Sequence, residues 1–229
     1  MEERDRLALA LDVDDLVLAL RLARQLSPYF SVAKVGLELF SAAGPDAVTS
    51  LTDLGFKVFL DLKMHDIPTT VRRSARVIGA LGATYLTLHA RAGPVMLRAG
   101  VDGLNEGAGA AGLPPAKVLA VTILTSDADA PAHILGARVQ AAMEAGCGGL
   151  ICAAADVREA KQLAPRMMAV VPGIRMPSGN AHDQARAATP RDAFEAGADL
   201  LVVGRAVTQA DDPAAAAAAL VGLLQDGPG

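Results

Sequence analysis

Eight times along the chain a short run of Val, Leu, Ile and Ala is followed by a polar turn and then by a stretch with helical spacing. The spacing predicts strands at residues 7–13, 31–36, 57–63, 85–90, 117–124, 148–153, 167–173 and 199–205. Helical stretches are expected between them, among others at 16–26, 45–54, 68–81, 131–145 and 190–196. Pro45, Pro68, Pro131 and Pro190 stand where a first helical turn tolerates proline. Gly55, Gly82, Gly146 and Gly197 stand where a helix must stop before the next strand. Strands that alternate with helices pair in parallel through helical crossovers. Eight units therefore predict a (β/α)8 TIM barrel of class α/β, with a doubly wound open sheet as the alternative. A length of 229 residues suits one domain, 1–229, with no dividing linker. The stretch from Gly107 to Gly112 reads as a flexible loop before the fifth strand, and the alanine run 214–219 as a terminal helix with an acidic start.

Aromatic residues make up only 3% of a chain that is 52% hydrophobic, so the core must be built from small aliphatics. A net charge of -4 with scattered basic residues argues against a nucleic-acid partner or a membrane surface. No apolar stretch reaches membrane-spanning length, and the charged N-terminus is unlike a secretory signal, so a cytoplasmic location is expected. Cys147 and Cys152 read as reduced, buried thiols. His65, His89, His133 and His182 form no HxH or HExxH spacing, and no metal site is expected.

In such a barrel, chemistry gathers where strands emerge at their C-terminal ends. Strand one ends in Asp12, strand two carries Lys34, and strand four ends in His89. Strand three alternates Val58, Leu60 and Leu62 on one face with Phe59, Asp61 and Lys63 on the other. Asp66 follows just before the next helix. Buried charges are costly unless paired, and an arbitrary Asp-x-Lys would be read as a structural ion pair. Convergence with Asp12 and Lys34 on one rim points instead to a site. Pro172-Gly173-Ile174-Arg175 after strand seven and Gly204-Arg205 after strand eight occupy the recurring phosphate position of this fold. The polar segment 176–188 reads as a lid.

Phe59-Leu60-Asp61-Leu62-Lys63-Met64-His65-Asp66-Ile67-Pro68-Thr69-Thr70-Val71 resembles the signature of the orotidine 5'-phosphate decarboxylases, D-x-K-x-x-D-I-P followed by N-T-V. The likeness extends through Leu11-Asp12, Lys34-Val35-Gly36, His89-Ala90, 121–126, 172–175, Asp183-Gln184 and 203–205. It implies a cofactor-free and metal-free decarboxylation of orotidine 5'-phosphate to UMP. Lys63 would protonate C6, in a charged array with Asp61, Asp66 and Lys34. A homodimer is implied, with Asp66, Ile67 and Thr70 reaching the partner's site. Asp12 and Lys34 would hold ribose hydroxyls, and Thr125 and Ser126 would face the pyrimidine. Pro172, Arg175, Gln184, Gly204 and Arg205 would serve the phosphate end. Thr69, Ala92, His182 and Ala185 depart from the family pattern without touching the array.

Loss of CO2 from C6 leaves an electron pair that the ring cannot delocalise, so a fixed cation must stabilise it. Three alternatives remain open. Sugar-phosphate decarboxylases and hexulose-phosphate synthases share a D-x-K-x-x-D strand and use Mg2+. A Schiff-base aldolase would need a lysine with lowered pKa, which acidic neighbours oppose. A non-catalytic nucleotide-binding barrel would bind UMP without turnover.

Overall fold

The computed structural model describes residues 2–127, 130–131, 133–175 and 188–225. Eight strands close into one parallel barrel: β1 (Leu7–Leu11), β2 (Val32–Val35), β3 (Lys57–Met64), β4 (Ala83–His89), β5 (Lys117–Val121), β6 (Gly149–Ile151), β7 (Met168–Val171) and β8 (Leu200–Val203). Neighbours pair in sequence order and β8 returns to β1, with Leu7 opposite Leu201. The open-sheet alternative is thereby excluded, because an open sheet leaves its edge strands unpaired.

The pleat sorts side chains into two cores. Leu7, Leu9 and Leu11 of β1 face the helical layer, whereas Ala8 and Ala10 join Val32, Phe59, Tyr85, Leu119, Val121 and Ile151 inside the barrel. Both groups are buried, so the strands read as continuous apolar runs, as expected of sheets covered on both faces. Phe59 and Tyr85 meet edge to face at 6.1 Å and fill much of the interior that a chain poor in aromatics must otherwise close with aliphatics.

The helices are α1 (Leu16–Leu26), α2 (Leu37–Ala43), α3 (Pro45–Asp53), α4 (Pro68–Ala80), α5 (Pro94–Ala110), α6 (His133–Ala145), α7 (Ala154–Leu163), α8 (Pro190–Glu195), α9 (Arg205–Thr208) and α10 (Pro213–Gln225). Gly55, Gly82, Gly146 and Gly197 all have positive φ immediately after helices, the left-handed turn that lets the chain leave for the next strand. Asp212 caps α10 by accepting hydrogen bonds from the Ala214 and Ala215 amides at 3.0 Å.

The glycine-rich stretch departs from expectation. Residues 107–110 are the last turn of α5, and only the chain beyond it is a turn. The reason is packing against α4. A Cβ at Gly103 would lie 2.2 Å from the Arg72 carbonyl oxygen, one at Gly107 1.8 Å from that of Arg76, and one at Gly79 2.0 Å from that of Leu104. These glycines let two helix backbones approach one another, and the contact outweighs their poor helix propensity.

Candidate active site

Strand register builds the centre of the site. Ala10, Lys34 and Phe59 are laterally paired across β1, β2 and β3. Two residues on, the pleat returns to the same face and supplies Asp12 after β1 and Asp61 on β3. The carboxylates thus stand above the apolar plug of Ala10 and Phe59, with Lys34 buried beside them. Lys34 Nζ lies 2.8 Å from Asp12 Oδ1 and 3.7 Å from Asp61 Oδ2, and Lys63 Nζ donates to Asp61 Oδ2 at 2.9 Å. Asp61 is the buried centre of this array, with 13% of its side chain exposed against 55% for Asp12. Burial pushes the Asp61 carboxyl upward, but the Lys34 and Lys63 cations and the hydrogen bonds from Lys63 and Thr87 outweigh it and leave its pKa below 3.8. At neutral pH it is a carboxylate.

Lys63 does not arrive by simple alternation. Leu60 pairs with Leu86 and Met64 with Leu88, so 61, 62 and 63 on β3 stand against Thr87 alone on β4. Within this bulge Lys63 has φ 48°, the one positive value at a non-glycine among the described residues. The strand rejoins β4 at Met64, and the Lys63 ammonium returns to within 2.9 Å of Asp61 Oδ2. Its amide, lost to the ladder, donates to Thr87 Oγ1 at 2.9 Å, and the Thr87 hydroxyl donates to Asp61 Oδ1 at 2.9 Å.

These side chains line a cavity of about 1050 Å3 at the C-terminal mouth of the barrel. Thr125 lines it beyond β5, Pro172, Gly173 and Arg175 beyond β7, and Gly204 and Arg205 beyond β8. The Arg175 backbone N–H donates a hydrogen bond to the Ala188 carbonyl oxygen at 3.0 Å, in a parallel bridge between Ile174 and Ala188. At Gly36, which opens α2, an added Cβ would stand 2.9 Å from Asp12 Oδ1 and 3.1 Å from Lys34 Nζ. Absence of a side chain there leaves room for that ion pair.

Several expected residues lie elsewhere. Ser126 is exposed and does not line the cavity. Asp66, Ile67 and Thr70 are also exposed and outside it, and Asp66 Oδ1 accepts from the Ile67 amide at 2.6 Å. Gln184, His182, Ala185 and nearly all of the expected lid fall outside the described residues. Conversely, Glu38 and Gln209 line the cavity without having been anticipated, as does the role of Thr87 beneath it. Thr87 carried a signal, a lone hydroxyl between Leu86 and Leu88 on a buried strand. Glu38 belongs to a helix the spacing did not reveal. His89 is half-buried with its ring centroid 5.9 Å from that of His65; burial, then the neighbouring His65, Lys63, Arg138 and Arg91, hold its pKa below 6.5. Cys147 and Cys152 are buried thiols, and burial raises Cys147 to about 12. Among the described residues no three His, Cys, Asp or Glu side chains are grouped to hold a metal, and no helix is long and apolar enough to cross a membrane.

The model of the orotidine 5'-phosphate decarboxylase / HUMPS family matches residues 5–220. The chain belongs to this family. Among curated relatives, an orotidine 5'-phosphate decarboxylase of Anaeromyxobacter dehalogenans is 44% identical, the alignment covering 98% of this chain and all of the relative. One from Moorella thermoacetica is 39% identical over 98% of this chain and 94% of its own. Among solved structures, orotidine 5'-phosphate decarboxylase from Lactobacillus acidophilus superposes with a TM-score of 0.81 at 38% identity, covering 94% of this chain and 97% of that one. The family resemblance carried by 59–71 therefore holds for almost the whole barrel.

Proposed function

We propose that this chain, as one barrel domain, converts orotidine 5'-phosphate to UMP and CO2 without a cofactor, working in the cytoplasm as a homodimer. The observation that carries the reading is the Lys34–Asp61–Lys63 array over an apolar floor, with Lys63 Nζ 2.9 Å from Asp61 Oδ2. Decarboxylation breaks the bond from C6 to the carboxylate carbon, CO2 departs, and the electron pair remains on C6 in the plane of the ring. An ammonium already fixed beside that carbon, at the edge of the ring, stabilises the pair without solvent reorganisation. Lys63 then transfers a proton from Nζ to C6, leaving UMP and a neutral amine. Asp61 holds the Lys63 ammonium in place through their 2.9 Å contact and, beside the substrate carboxylate, favours its loss.

Asp12 and Lys34 hold the ribose hydroxyls, Thr125 and Ser126 face the pyrimidine, and Pro172, Arg175, Gln184, Gly204 and Arg205 serve the phosphate. Binding energy gathered there, remote from C6, assists the chemical step. Asp66, Ile67 and Thr70 act in the partner's cavity, a reading supported by their exposure and by their absence from their own.

The magnesium-dependent branch of the family is the second reading. Against it, Asp61 spends one oxygen on Thr87 and the other on Lys63, which suits a carboxylate acting as charge rather than as metal ligand. Purified protein supplied with orotidine 5'-phosphate should deplete its ultraviolet absorbance, and Lys63→Ala should slow this by roughly a thousandfold while remaining folded. Undiminished decarboxylation by Lys63→Ala, or activity that chelation abolishes and magnesium restores, would overturn the proposal.

A further inference from the structure

We propose that Thr87 is a positioning residue for the reaction, its hydroxyl locking the Lys63 backbone and the Asp61 carboxylate into one arrangement. The inference rests on the reading of Lys63 and Asp61 as the reacting pair.

Four polar or charged residues are buried among the described residues: Ser31, Lys34, Thr87 and Thr122. The hydroxyls of Ser31 and Thr122 are accounted for at the barrel wall, that of Ser31 by the Arg4 carbonyl and Asp5, that of Thr122 by the Ile151 carbonyl. Thr87 differs. It is fully buried, it alone faces the three bulged residues of β3, and its Oγ1 has both a donor and an acceptor within 2.9 Å.

The two bonds act on different parts of the site. Accepting from the Lys63 amide compensates a ladder bond that the bulge removes, in a dry place where an orphaned amide is costly. It thereby holds Lys63 at φ 48°, a conformation that a lysine rarely adopts unless its surroundings enforce it. Donation to Asp61 Oδ1 fixes the rotation of the carboxylate, so that Oδ2 is the oxygen turned toward Lys63 Nζ at 2.9 Å and Lys34 Nζ at 3.7 Å. One hydroxyl thus sets both ends of the ion pair. Remove it and both partners remain in the cavity, but their relative placement is no longer imposed. A fault of this kind lowers the rate of the chemical step more than it weakens binding of the nucleotide.

Thr87→Val keeps the branched shape and discards the oxygen, whereas Thr87→Ser keeps the oxygen. Rates are measured with orotidine 5'-phosphate and referred to sites that bind UMP in a calorimetric titration, so unfolded protein does not enter. Thr87→Val should lower kcat about ten- to a hundredfold with KM within about threefold, and Thr87→Ser should stay within about threefold of wild type. If Thr87→Val does not fold, Thr87→Ala is read in the same way. A kcat for the hydroxyl-free variant equal to wild type, or a loss in Thr87→Ser as large as in Thr87→Val, overturns the proposal. Wild type and Lys63→Ala run alongside: inactive wild type or active Lys63→Ala would instead remove the underlying reading of the site.

Discussion

At the scale of single residues, the site is governed by what is missing as much as by what is present. Gly36 has φ -87°, which any residue adopts, so its backbone does not require glycine. The space does: a methyl group there would press on Asp12 Oδ1 at 2.9 Å and Lys34 Nζ at 3.1 Å. Asp12 is half-exposed and free to yield, whereas Lys34 is buried between two carboxylates. Gly36→Ala should therefore fold normally and displace Asp12 from the pair. If these two side chains hold the ribose, losing one hydrogen bond's contribution of about 1.4 kcal/mol raises KM roughly tenfold. Steady-state kinetics with orotidine 5'-phosphate check this; an unchanged KM would show that the Asp12–Lys34 geometry does not serve binding.

At the scale of elements, the pairing of α4 with α5 tests why a glycine stands where it does. Gly107 and Gly109 share the last turn of α5, and both would gain about 0.5–1 kcal/mol of helix propensity as alanine. At Gly109 a Cβ meets nothing within 4 Å, so Gly109→Ala should stabilise the protein by that amount. At Gly107 the same methyl would lie 1.8 Å from the Arg76 carbonyl oxygen, and separating two packed helices costs about 1–3 kcal/mol. Gly107→Ala should therefore destabilise. Urea unfolding of the two variants must give opposite signs; stabilisation of both would mean the helices separate at little cost. This turn also marks the limit of legibility. Glycine is a weak helix former, so local propensity points to a loop, and only the neighbouring helix reveals the helix. The strands were readable because burial on both faces makes them apolar throughout, and the inward aim of Asp12, Lys34 and Asp61 follows from the pleat. The bulge at 61–63 was not, since it depends on Thr87 twenty-four residues away across the ladder.

At the scale of the whole molecule, one half of the family signature sits in the cavity and the other half outside it. Asp61 and Lys63 line the mouth, while Asp66 to Thr70 run along an exposed ridge on which Ile67 is 65% accessible. An apolar side chain so exposed beside a carboxylate makes sense if a second copy covers it, and such an interface is self-complementary about a two-fold axis. Each cavity would then take Lys63 from one chain and Asp66 from the other. Residue spacing alone does not state which chain a residue will serve, so the expectation that Asp66 reaches the partner's cavity came from the family resemblance and not from the strand pattern. The arrangement has a consequence that a monomeric site cannot imitate. Lys63→Ala and Asp66→Asn homodimers should each be nearly inactive, since every cavity lacks one partner. Mixed, dissociated and reassembled, they form heterodimers in which one cavity carries both changes and the other carries neither. Random reassortment of equal amounts makes about half of the dimers mixed, so activity should recover to about a quarter of the wild-type level per site. Recovery to that level ties Asp66 to the partner's cavity. No recovery, with heterodimers demonstrated by mass spectrometry, would place Asp66 in service of its own chain and remove the shared site.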